Sequence, residues 1–64
     1  MHPSRAELSS VGTQLRELSE RVTAMGERLN VAPTEDAASA LFEVERALRS
    51  ASRALDRALG ALRD

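Results

Sequence analysis

Apolar residues along this chain fall into two stripes separated by a short break. From Leu8 through Val11, Leu15, Leu18, Val22 and Met25 to Leu29 the spacing alternates between three and four residues without interruption. That is the a/d pattern of an amphipathic helix that packs against another helix. A second stripe runs through Leu41, Val44, Leu48, Ala51, Leu55, Ala58 and Leu62. Within it the pair Ala-Leu returns every seven residues, at Ala40-Leu41, Ala47-Leu48, Ala54-Leu55 and Ala61-Leu62.

Punctuation at the stripe ends predicts the element boundaries. Ser4 followed three residues later by Glu7 has the form of a capping box, so helix 1 is expected from about Arg5. It is expected to stop near Asn30, a residue that tolerates the left-handed C-terminal conformation, and Pro33 biases Ala32 away from helix. Thr34 offers a second N-cap, with Glu35 and Asp36 in the first turn where carboxylates favour the helix dipole. Helix 2 is then expected from about Glu35 to Arg63. The two helices come out at roughly 37 to 44 Å each. A link over residues 30–34 is short enough to force them antiparallel. The expected fold is all-α, an antiparallel, coiled-coil-like helical hairpin forming one domain over residues 1–64.

The width of the apolar stripes carries the expectation further. With Leu8 as position a, Gly12, Ser19 and Gly26 occupy successive e positions. With Leu41 as a, Ala40, Ala47, Ala54 and Ala61 occupy g. Small residues along one edge let helix backbones approach closely, and Phe42 and Leu59 add apolar surface outside the strict a/d seam. Two glycines inside one helix each cost about 1 kcal/mol relative to Ala, which favours a packing role over mere tolerance. The plainer alternative is that Ala is simply the best helix former. The wider reading predicts that two hairpins pair as a four-helix bundle. Its interface residues would be Leu8, Val11, Leu15, Leu18, Val22, Met25, Leu29, Leu41, Phe42, Val44, Leu48, Ala51, Leu55, Leu59 and Leu62.

Composition supports association. A chain of 64 residues buries a small share of its surface, and with no cysteine and one aromatic residue it has neither disulfides nor a bulky core. A formal net charge of -1 argues against a general nucleic-acid or membrane binder. Neither a run of about 20 apolar residues nor the apolar core of a signal peptide is present, so a cytoplasmic location is expected. All nine basic residues are Arg, which together with the abundant Ala hints at a high-GC bacterial or phage genome.

One feature could carry binding chemistry. Arg46, Arg49, Arg53 and Arg57 fall within an arc of about 80° on helix 2. Such a ladder could hold a phosphate, a nucleic-acid backbone or an acidic partner helix. It could equally be a solvated face that complements the helix dipole, with Glu45 paired to Arg49 at i+4. No enzyme signature accompanies it. His2 is the single histidine, near the end of the chain, no Glu-x-x-His motif is present, and the glycines are scattered. Neither a cofactor nor a metal is expected. The function expected first is a non-enzymatic helical adaptor or regulatory protein that homodimerises and binds another protein. The alternatives are a small subunit that folds with a larger partner and an anion-binding module built on the Arg stripe.

Overall fold

The computed structural model describes residues 2–62 of the chain. Two helices, α1 (Arg5–Leu29) and α2 (Glu35–Ala61), pack against each other as an antiparallel hairpin. The Cα trace measures 52 × 14 × 10 Å, a rod two helices wide and one helix thick. Arg63, the expected end of helix 2, lies outside the described residues.

Both helix starts and the end of α1 sit where the sequence punctuation places them, while α2 closes at Ala61, short of the expected Arg63, with Leu62 extended as its C-cap (φ -84°, ψ 93°). The capping chemistry differs. A capping box needs an extended N-cap residue, whereas Ser4 is helical (φ -83°, ψ -6°) and its side chain caps nothing. Its backbone N–H instead donates to His2 Nδ1 at 3.1 Å. Thr34 likewise makes no side-chain cap for α2. Its hydroxyl turns backwards, within reach of the Leu29 carbonyl at 2.7 Å and the Val31 carbonyl at 2.9 Å. The Leu29 carbonyl is one of the last four of α1, which lack intrahelical donors. Asn30 closes α1 at φ -80°, outside the left-handed region expected for it. At the far end of the rod, Arg5 of α1 donates to the carbonyls of Leu59 and Leu62 at 2.8 and 3.1 Å, tying the start of the first helix to the end of the second.

The seam between the helices is not the a/d pair. On α1 the buried or half-buried file is Leu8, Gly12, Leu15, Ser19, Val22, Thr23, Gly26 and Leu29. On α2 it is Ala38, Leu41, Phe42, Glu45, Leu48, Ser52, Leu55 and Leu59, with Leu62 at the C-cap. Both files use positions a and e, with Thr23 and Phe42 added at b, and the small e residues of α1, Gly12, Ser19 and Gly26, let the backbones close up. At Gly26 an added Cβ would meet the Phe42 ring at 2.8 Å, so only glycine fits with the ring where it is. Phe42 and Leu59, expected beyond the seam, are therefore part of it. Across the seam Gly12 neighbours Leu55, Thr23 neighbours Glu45 and Gly26 neighbours Phe42, which fixes the register.

Candidate functional site

The seam leaves the d file of each helix uncovered. Position d lies about 80° from a seam centred between a and e, and position b lies about 80° to the other side. Because the helices are antiparallel, both d files come to the same broad face of the hairpin. Val11, Leu18 and Met25 from α1 and Val44 from α2 are 38%, 44%, 39% and 44% exposed. Ala37, Ala51 and Ala58 continue the α2 file, and Ala40, Ala47, Ala54 and Ala61 lie beside it, all exposed. The result is one apolar face, with large side chains on α1 and an alanine floor on α2. Its α1 edge carries Glu7, Gln14, Arg21 and Arg28 at successive g positions.

Burial figures show how little the hairpin covers by itself. Among the described residues the only buried hydrophobic side chain is Ala38, and no large side chain is fully buried. The accessible surface is 4781 Å², against about 4,000 Å² for a folded monomer of 6.9 kDa. The excess follows from the rod shape, 52 × 14 × 10 Å, which leaves both broad faces exposed.

On the opposite broad face lies an open groove of about 630 Å³, lined by Arg16, Ser19, Glu20, Thr23, Ala24, Glu27, Arg49, Ser52 and Arg53. Its floor is held by a small network. The Thr23 hydroxyl donates to Glu45 Oε2 at 2.6 Å, and Arg49 reaches both carboxylate oxygens of Glu45 at 3.4 Å. Glu45 is largely covered while Arg49 remains 65% exposed, so the pair is a partly screened one.

The residues expected to form an interface thus separate into two sets. Leu8, Leu15, Val22, Leu29, Leu41, Phe42, Leu48, Leu55, Leu59 and Leu62 serve the intramolecular seam, whereas Val11, Leu18, Met25, Val44 and Ala51 face outwards. The arginine stripe also divides. Arg49 and Arg53 line the groove and are joined there by Arg16 from the other helix, while Arg46 and Arg57 are not among its lining residues. Sequence spacing within one helix gives no sign of Arg16, because its neighbours arrive through the fold. The exposed Arg5 clamp is of the same kind.

Comparison with known protein families, with curated proteins and with solved structures finds no match for this chain. Among the described residues no helix is long and apolar enough to cross a membrane. No group of three or more His, Cys, Asp or Glu side chains is placed to hold a metal ion among them either.

Proposed function

We propose that this chain is a non-enzymatic adaptor or regulatory protein that works as a homodimer, two hairpins closing into a four-helix bundle and offering their outer faces to another protein. The observation that carries the reading is the uncovered d face. Its large residues stand at heptad spacing on one side of a hairpin that has already satisfied its own seam with positions a and e. A continuous apolar face of this kind costs free energy in water and is normally covered. Covering it with a second copy makes Val11, Leu18, Met25 and Val44 the centre of a bundle core. The groove with Arg16, Arg49 and Arg53 points away from that core, so it stays open to a different protein in the dimer.

Leu18→Asp tests the reading, because it places a charge on the exposed d face and leaves the seam untouched. The expected result is loss of the dimer in sedimentation velocity, together with lower helicity at low protein concentration. Retention of the native mass by this variant would remove the d face as the site of association.

A further inference from the structure

Several polar and charged residues beside the d face are placed symmetrically about one level of the rod. On α1, Glu7 and Arg28 stand at equal distances either side of the bond between Glu17 and Leu18, and so do Gln14 and Arg21. On α2, Glu43 and Arg57 stand at equal distances either side of Ser50. The contacts of Gly12 with Leu55 and of Thr23 with Glu45 set these two centres side by side, since the point midway between the two contacts falls at Glu17–Leu18 on α1 and at Ser50 on α2.

We infer that the second copy docks about a two-fold axis running through this level, across the helices and within the plane of the interface, so that α1 lies antiparallel on α1 of the partner and α2 on α2. This rests on the homodimer reading and adds its geometry. Leu18 then meets its own copy near the axis, and Val11 faces Met25 of the other protomer. Glu7 stands opposite Arg28 along the rim. On α2, Glu43 and Arg57 of the other copy come level on the outer edge at position c, where the alanine floor lets the two backbones approach closely, while on α1 the larger d residues hold Glu17 at c apart from its own copy. Opposite charges facing across a rim fix register and exclude the reversed pairing, whose like charges would repel. The competing two-fold, along the bundle axis, stacks α1 on α2 of the partner and puts Leu18 opposite Ala51.

The absence of native cysteine makes the distinction direct. Two Cα atoms must lie within about 7 Å for a disulfide to close. Under mild oxidation Leu18→Cys alone and Ala51→Cys alone should each give a covalent dimer, and an equimolar mixture should give little of the mixed product. Formation of the mixed product only would overturn this axis in favour of the competing one while leaving the homodimer standing. Absence of any covalent product from variants that still sediment as dimers would likewise overturn it. A monomeric wild-type chain would remove both the axis and the reading beneath it. As a second measurement, Glu7→Arg or Arg28→Glu should weaken association several-fold at low salt, and the double exchange should restore it to within about twofold. Failure of the double exchange to restore association would contradict the α1-on-α1 pairing.

Discussion

At the scale of single residues, the two glycines of α1 have different roles despite equivalent heptad positions. Gly12 has ordinary van der Waals room for a methyl group, with Leu55 Cδ2 at 3.5 Å from an added Cβ. Gly12→Ala should therefore stabilise the protein by up to about 1 kcal/mol through helix propensity alone. Gly26→Ala gains the same propensity but drives a methyl group to 2.8 Å from the Phe42 ring. Overpacking of this kind costs about 1 to 3 kcal/mol, so the net effect should be neutral to destabilising, and Phe42→Leu should relieve it. Thermal unfolding of the three variants checks the order, and a Gly26→Ala protein at least as stable as Gly12→Ala would contradict the close approach. Heptad position shows that both glycines lie beside an apolar stripe. Which of them is crowded depends on Phe42, a residue on the other helix. Glu45 illustrates the same limit. The i+4 spacing predicts its pairing with Arg49, but the Thr23 hydroxyl reaches it across the seam.

At the scale of elements, hydrophobic period and proline placement are local, and both are readable before the chain folds. They set α1 at Arg5–Leu29 and the start of α2 at Glu35. Capping chemistry was less legible because a short polar side chain has several orphan groups within reach. Thr34 could have served the start of α2, yet it serves the end of α1. Thr34→Ala should accordingly cost about 1 kcal/mol. Amide hydrogen exchange should show the loss around the link and the last turn of α1, ahead of the first turn of α2. Faster exchange confined to the start of α2 would restore Thr34 to the N-cap role. The choice between a/d and a/e seams was not legible at all. On α1 position d carries the larger residues (Val11, Leu18 and Met25) and position e the smaller (Gly12, Ser19 and Gly26), whereas on α2 position e holds Glu45 and Leu59 and position d is mostly Ala. The hairpin selects e because the small e residues of α1 let the e file of α2 approach closely. The larger d residues remain as the outward apolar face.

At the scale of the whole molecule, the hairpin is a layer one helix thick, and a single layer cannot enclose a core. Domains are stable when apolar faces are buried between two layers. This chain builds one layer with an apolar d face on one side and a groove lined by charged and hydroxyl-bearing side chains on the other, and no large side chain is fully covered among the described residues. Its fold class was therefore readable from periodicity, whereas the division of labour between inward and outward apolar residues required the three-dimensional seam. The need for a second layer is the central claim, and sedimentation equilibrium of the unmodified chain across a range of concentrations tests it most directly. The account predicts a species of twice the 6.9 kDa chain mass, with helicity falling as dilution dissociates it. A fully helical particle with the mass of one chain at every concentration would contradict it.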